Sequence, residues 1–343
     1  MQKTLTYDVA VVGGGAAGLS GAIALARSLR SVALFDGGEP RNAPADEAHN
    51  VLGREGISPA ELLAAGRREA EQYGVQLIPA TVRTAVRDGG LFRLETDTGT
   101  RIWARKLLLA TGLVDELPEV EGLRELWGRS VLHCPYCHGW EVRGQRIGVL
   151  GTEARSVHQA LMFRQLSDRI SFFTHTGPPL AGDQIEQLEA LQIKIIHGEV
   201  ERLRSKDRAL SSVLLAGGQD VAVDALAVAP RFVAHGDLYT QLGGTLTVLP
   251  GAGSKINTDP VGRTDLPGVY AAGNASDLSA MVSMSSGAGI ATAAVINYDL
   301  ITEQAQAAVA ERRDPFSADR EAANSRQLLG DRRHGWDPVT VPE

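Results

Sequence analysis

Two cysteines, Cys134 and Cys137, stand three positions apart in the run Cys134-Pro135-Tyr136-Cys137, and the chain of 343 residues has no others. Thiols at that spacing can close on one another as a disulfide and open again, which is two-electron chemistry. Zinc is the competing use. One pair supplies only two ligands, and His133 and His138, directly beside the cysteines, cannot easily complete a tetrahedron on the same ion. A redox dithiol is the better reading, and no metal is expected. When such a pair opens a helix, one thiol has a lowered pKa, because the helix end and a nearby cation favour the thiolate.

The glycines suggest where the electrons go. Gly13-x-Gly15-x-x-Gly18 follows a β-rich run at 7–12 and opens a stretch of helical composition at 16–30. In such a turn the first glycine permits the tight bend and the second lets a pyrophosphate approach the backbone. The third allows the helix to pack closely on the strand. The helix start adds free N–H groups and a positive dipole end. Residues 31–35 read as the next strand, and Asp36 at its end can accept from a ribose hydroxyl. Strand, turn, helix and acid agree on a dinucleotide, without distinguishing FAD from NAD.

Residues 58–74 read as a polar-faced helix. Residues 76–86, 91–96 and 101–109 read as strands, with turns at Asp88-Gly89-Gly90 and Asp97-Thr98-Gly99. A second strand–turn–helix unit opens at 146–150, turns at Gly151 and continues helically to about Gln165, with 170–174 as its second strand. This partial echo predicts an α/β protein with two Rossmann-like dinucleotide-binding-type domains. Residues 303–343 differ in character, with eight acids and six arginines in 41 residues. They read either as a helical tail lying across a domain or partner subunit, or as a solvated, partly disordered one.

Composition bounds the rest. At about 150 residues per domain the length fits two domains. Hydrophobic residues at 43% and charged residues at 22% make a globular chain. A net charge of −7 argues against an electrostatic grip on nucleic acid. Two uncharged stretches imitate membrane signals. The first, 9–26, is preceded by Asp8 rather than a basic segment and is broken by five glycines. The second, 278–298, carries Ser279, Ser283, Ser285, Ser286, Gly287, Gly289, Thr292 and Asn297, too many polar and flexible residues for a spanning helix. The expectation is a soluble cytoplasmic protein with no membrane or nucleic-acid partner.

Two further segments favour FAD. Leu107-Leu108-Leu109-Ala110-Thr111-Gly112 is a buried strand ending in a small-residue turn, and Asp265-Leu266-Pro267-Gly268-Val269-Tyr270-Ala271-Ala272-Gly273-Asn274 is another. Both resemble the second and third FAD contacts of two-dinucleotide-domain flavoproteins, and His49-Asn50-Val51-Leu52-Gly53 resembles their isoalloxazine-side loop. With the Cys-x-x-Cys pair between them, the chain resembles the low-molecular-weight thioredoxin reductases over about residues 5–300. The resemblance implies an FAD domain in two pieces, 1–117 and 231–303. Between them it implies an NADPH-domain-like central domain, 118–230, carrying the cysteines, with 304–343 as a charged C-terminal tail. It implies a homodimer, and FAD contacts at Gly13, Gly15, Ala16, Ala17, Gly18, Asp36, Gly37, Arg41, Asn50, Val82, Ala110, Thr111, Gly112, Gly273, Asn274, Met281 and Val282.

Departures from the family pattern redirect the function. The second turn should read Gly-x-Gly-x-x-Ala; here it is Gly151-Thr152-Glu153-Ala154-Arg155-Ser156, with an anion in place of the middle glycine. The next strand should end in a His-Arg-Arg motif for the 2′-phosphate of NADPH; here it ends His175-Thr176-Gly177-Pro178-Pro179, without the arginines. Asn274 replaces an acid near the ribityl and pyrophosphate, and Ala280-Met281-Val282 replaces Arg-Gln-Ala beside the flavin. Cys134-Pro135-Tyr136-Cys137-His138-Gly139-Trp140-Glu141 resembles the thioredoxin reductase-like dithiol oxidases of the gliotoxin and holomycin kind. That likeness implies an FAD enzyme that closes a small-molecule dithiol, with Cys134 as the outer sulfur, Cys137 facing the flavin, and O2 leaving as peroxide. His138 stands where the reductases have an acidic proton donor; histidine can take thiol protons near neutral pH and then stabilise a thiolate. His133 is a second candidate base, against a competing surface or helix-capping role. The alternatives are a reductase of thioredoxin or a related protein disulfide, fed by NADPH or a donor such as ferredoxin, and a non-catalytic redox-sensing flavoprotein.

Overall fold

A computed structural model of the chain describes residues 6–313 and 318–329. The rest of the predicted tail, 314–317 and 330–343, lies outside the described residues. The larger sheet has seven strands. Its order is Gln76–Ile78, Val32–Phe35, Thr6–Val12, Arg101–Leu109, Leu91–Thr96, Val82–Asp88, with Val269–Ala271 also bonded to Arg101–Leu109. Thr6–Val12 is parallel to both of its neighbours. Val9 to Val12 are all buried, as expected of a strand covered on both faces. Gly13 therefore leaves the sheet at the point where the strand order reverses, which is where open α/β sheets bind dinucleotides.

Arg101–Leu109 changes partner along its length. Its first half pairs antiparallel with Leu91–Thr96; Leu107 to Leu109 pair parallel with Val269 to Ala271. Its burial follows, alternating at first and continuous at the end. The late partner brings the turn at Gly273 beside the turn at Ala110. The strand predicted at 76–86 is in fact two, Gln76–Ile78 and Val82–Asp88. Pro79 lies between them; with a fixed φ and no N–H it cannot continue a ladder.

A second sheet has five strands, all parallel, in the order Lys194–Ile196, Ile170–Phe173, Ile147–Leu150, Ala225–Ala227, Val131–Leu132. Gly151 leaves its middle strand, and Val131–Leu132 leads directly into His133 and the cysteines. A small antiparallel sheet, Val200–Lys206, Ala209–Leu215 and Asp220–Ala222, lies in the same stretch of chain. The chain enters this central region after Leu113–Glu116 and leaves it at Arg231–Ala234, and these two strands pair antiparallel. Gly253–Lys255 and Thr247–Leu249 extend that sheet to four strands.

The N-terminal helix, Ala16–Arg27, crosses the start of the long helix Val282–Arg313 with almost no side chain between them. A Cβ on Gly289 would lie 2.1 Å from the Ala17 carbonyl oxygen. Ser58 caps the helix Pro59–Gln72 by accepting from the Glu61 N–H. The chain divides into two compact units between residues 294 and 295. The first holds every sheet. The second holds the remainder of the long helix, which continues unbroken through residue 303, and the helix Ala318–Leu329. Among the described residues no helix is long and apolar enough to cross a membrane.

Candidate active site

A cleft of about 2240 Å³ runs from Gly13 past Asp36 and Arg41 to Ala110–Gly112, Gly273 and Val282, and reaches Cys134 and Cys137. A site for one drug-sized ligand takes roughly 300–1,000 Å³, so this cleft has room for a dinucleotide and a second molecule beside it. Every predicted FAD contact lines it except Gly18 and Asn50. Gly18 lies under the turn, where a Cβ would meet the Gly13 carbonyl oxygen at 1.9 Å. The Asn50 side chain turns away to donate to the Tyr136 carbonyl, 2.7 Å.

The first turn fits a pyrophosphate. Gly13, at φ +116°, passes against the Ala110 carbonyl, where a Cβ would be 2.1 Å from the oxygen. Gly14 is also required, because a Cβ there would meet the Asp36 carboxyl carbon at 2.2 Å. Gly15 has nothing within 4 Å of its Cβ position. It is the N-cap of Ala16–Arg27, and no side chain caps that helix. Its first N–H groups thus remain available to an anion. Asp36 accepts from the Gly38 N–H on one oxygen and from Arg67 on the other, both at 2.9 Å.

Farther along the cleft, Arg41 grips the half-buried Asp115 with two nitrogens, at 2.8 and 2.6 Å, and donates to Asn274 Oδ1 at 3.1 Å. Asn274 Nδ2 donates to the carbonyls of Asp277 and Ala280. An acid in place of Asn274 could accept from Arg41 but could not donate to either carbonyl. The asparagine therefore ties the Gly273 turn to the loop before Met281 and Val282. The Arg41 guanidinium also lies over the Phe232 ring, 5.0 Å from its centroid.

Cys134 is the N-cap of a single helical turn, Pro135–His138. Gly139 closes that turn, since a Cβ there would meet the Pro135 carbonyl oxygen at 2.2 Å. Both cysteines are free thiols and half-buried. The Cys137 thiol donates to the Cys134 sulfur and is the main reason that the Cys134 pKa falls to about 7; the N–H groups of Cys137 and Tyr136 and the charge of Arg41 add to this against burial. The same hydrogen bond, burial and the neighbouring negative charge push the Cys137 thiol far up. Near neutral pH the reduced pair thus keeps its thiolate on Cys134 and its proton on Cys137.

His133 stands in the cleft wall, neither at the surface nor capping a helix. Burial, with Arg155 and Arg41, lowers its proton affinity against the opposing bond to Val228. The neutral ring donates from Nδ1 to the Val228 carbonyl at 2.9 Å and sets its edge against Phe232, centroids 5.0 Å apart. His138 is half-buried, and burial lowers its proton affinity most, with Glu141 opposing and His49 assisting.

The second glycine turn is built differently. Ser156 Oγ accepts from the N–H groups of Thr152 and Glu153, at 3.2 and 3.3 Å. The donors that a phosphate needs are thus taken by the protein itself. Glu153 pairs with Arg155 at 3.0 Å, and Arg155 donates to the carbonyls of Pro230 at 3.0 Å and Gly251 at 3.3 Å. Gly251 leaves room for the carboxylate: a Cβ there would be 2.8 Å from Glu153 Oε2. Where the arginine motif is missing, the 174–177 turn folds onto Gly151, and a Cβ on Gly177 would sit 2.9 Å from the Gly151 carbonyl oxygen.

Sequence reasoning did not anticipate Asp115, Phe232, Ser156, or the links that Arg155 makes outside its own turn. Asp115 and Asn274 lie 74 and 233 residues from the arginine that joins them, and nothing local to any of the three announces the contact.

A model of the pyridine nucleotide-disulphide oxidoreductase family matches residues 7–311. The thioredoxin reductase tcpT of Claviceps purpurea (strain 20.1) is 31% identical over 296 residues, covering 80% of this chain and 88% of its own. The thioredoxin reductase sirT of Leptosphaeria maculans is 31% identical over 312 residues, covering 86% and 94%. The crystal structure of HlmI matches with a TM-score of 0.84 at 40% identity, covering 91% of this chain and 98% of that one. With a dinucleotide cleft that ends at a redox-capable cysteine pair, the chain belongs to the pyridine nucleotide-disulphide oxidoreductase family, as a thioredoxin reductase-like, FAD-binding thiol/disulfide oxidoreductase.

Proposed function

We propose that this protein is an FAD-dependent dithiol oxidase that closes a disulfide in a small-molecule dithiol and passes the electrons to O2 as H2O2. The observation that carries the reading is the second glycine turn. Its phosphate-facing N–H groups are bonded to Ser156, and its anion Glu153 is paired with Arg155. This argues against NADPH as the electron source and leaves the cysteine pair as the entry for electrons. The likeness of the Cys134–Glu141 segment to the gliotoxin and holomycin dithiol oxidases points the same way. The resemblance also favours a homodimer, and the sequence favours a cytoplasmic location.

The residues divide the work as follows. A substrate thiolate attacks the Cys134 sulfur of the disulfide form, breaking the Cys134–Cys137 bond and making a mixed disulfide. The second substrate thiolate attacks the substrate sulfur of that bond and leaves as the cyclic product. The pair is then reduced, with its negative charge on Cys134. His138 takes the proton of an incoming substrate thiol. The first glycine turn, Asp36 and Arg41 would hold FAD, which when bound supplies the two-electron link between the pair and O2.

Anaerobic titration followed by the flavin spectrum tests this. Dithiothreitol is expected to bleach the flavin and NADPH to leave it oxidised, with stoichiometric peroxide once air is admitted. Rapid bleaching by NADPH would overturn the reading, as would unimpaired turnover in Cys137→Ser.

A further inference from the structure

The loop before the helix Pro59–Gln72 holds a histidine that the chemistry above does not use. His49 lies on a segment closed by the Ala48–Ile57 bridge, and its side chain is 15% exposed. Its Nδ1 is 2.9 Å from Glu55 Oε1, on the same loop. Its Nε2 is 3.5 Å from Glu141 Oε1, just past the cysteine turn, and 3.7 Å from Glu47 Oε2. Its ring stands edge-on to that of His138, with centroids 6.3 Å apart and planes at 83°. The loop is fixed to the cysteine turn by the Asn50 side chain and to the long helix by Ser283, which donates to the Asn50 carbonyl. Asn50 sits at φ +60°, the left-handed region that asparagine tolerates.

The three carboxylates around His49 are all exposed. The Glu141, Glu47 and Glu55 side chains are 41%, 58% and 66% exposed. The half-buried ring of His138, next after Cys137 in the chain, thus adjoins a second ring bracketed by carboxylates that reach water. Oxidation of a dithiol to a disulfide releases two electrons and two protons. On the reading above the electrons reach O2, which takes up two protons on becoming H2O2. The overall reaction balances, but protons released at the half-buried pair need a route away from it.

We propose that His49 is that route: it acts through His138, accepting its proton and passing it to Glu55, Glu141 and Glu47 at the surface. His49 is a positioning and relay residue in this scheme, since it touches neither sulfur. The inference rests on the dithiol oxidase reading for its purpose, but its electrostatic part does not. The groups facing the relay among the described residues are Glu47, Glu55, Glu141 and the two histidines themselves. When His49 carries a proton it repels one on His138, so the relay empties the inner ring.

The test compares wild type, His49→Gln and Glu55→Gln, each FAD-loaded and checked for fold by circular dichroism. Glutamine keeps a hydrogen-bonding group on the loop but cannot carry a proton. The first readout is the NMR titration of His138 in the reduced protein. Loss of the neighbouring cation should move its midpoint up by about half a pH unit in His49→Gln. The second is peroxide formation from dithiothreitol, expected to fall about tenfold in His49→Gln and to recover when free imidazole is added. Glu55→Gln, which leaves the ring in place, should shift the pH profile of turnover with a smaller loss. An unshifted His138 midpoint overturns the relay. So does a turnover loss that imidazole does not rescue. If the wild type oxidises no dithiol while His138 still shifts, the functional reading fails and the His49–His138 coupling stands.

Discussion

The two glycine turns occupy equivalent places in their sheets, each leaving a central parallel strand, yet they treat the start of the following helix in opposite ways. After Gly13 the helix start is bare: no side chain caps it, and Gly15 faces open space. After Gly151 the same kind of position is filled by Ser156 accepting from the turn's N–H groups and by the Glu153–Arg155 ion pair. The difference shows that the second turn departs from the first by more than a missing glycine. Where no ligand supplies acceptors, the protein satisfies such N–H groups itself.

The strongest way to break this contrast is to give the first turn the residue of the second. In Gly15→Glu the side chain has open space and no backbone strain, so the fold should survive while the carboxylate occupies the pyrophosphate position. FAD retention, measured by flavin absorbance of the purified protein, should drop more than about 100-fold. Retention at the wild-type level would mean that the open turn is not the FAD seat.

Arg155→Ala addresses the other side. It removes two carbonyl contacts and leaves Glu153 without its partner. The cost should be about 1–3 kcal/mol in a denaturant melt, discounted from a fully buried pair because both side chains are partly exposed. No gain of NADPH-driven flavin bleaching is expected, because Ser156 still holds the N–H groups. A smaller effect separates Arg41 and Arg155, whose guanidinium groups both lie over the Phe232 ring, 5.0 and 5.7 Å from its centroid. Only Arg41 contributes to lowering Cys134. Alkylation of Cys134 by iodoacetamide should rise with pH and level off above about 7 in the wild type. In Arg41→Gln the loss of positive charge should move that midpoint up and slow alkylation about threefold below it. Arg155→Ala should leave the midpoint in place; equal shifts in both would show that the cleft does not distinguish the two charges.

Much of the frame could be read from the chain. The alternation in 91–96, the apolar run at the end of 101–109 and the glycine spacing after 7–12 are local patterns, and each produced the expected element. The break at Pro79 was missed because the apolar residues on either side looked continuous, although one proline is enough to end a ladder. Glu153 was legible as a misplaced anion, but not as one end of a bridge. The other end, Arg155, donates to Pro230 and Gly251, which are brought close only by the sheets. His49 was read as part of a flavin-side loop; its three carboxylates converge from two segments, and sequence order does not reveal that.

The pairing of Leu113–Glu116 with Arg231–Ala234 has a mechanical consequence. Both covalent crossings between the larger sheet and the cysteine-bearing sheet run side by side, so together they define a single axis, as two straps do on a door. A body attached along one line keeps one freedom, to swing about it. Arg155 reaches Gly251, in the turn between Thr247–Leu249 and Gly253–Lys255 of that same sheet and away from the line. Three points that do not share a line fix a plane, so the contact that Arg155 makes beside the second glycine turn opposes that swing.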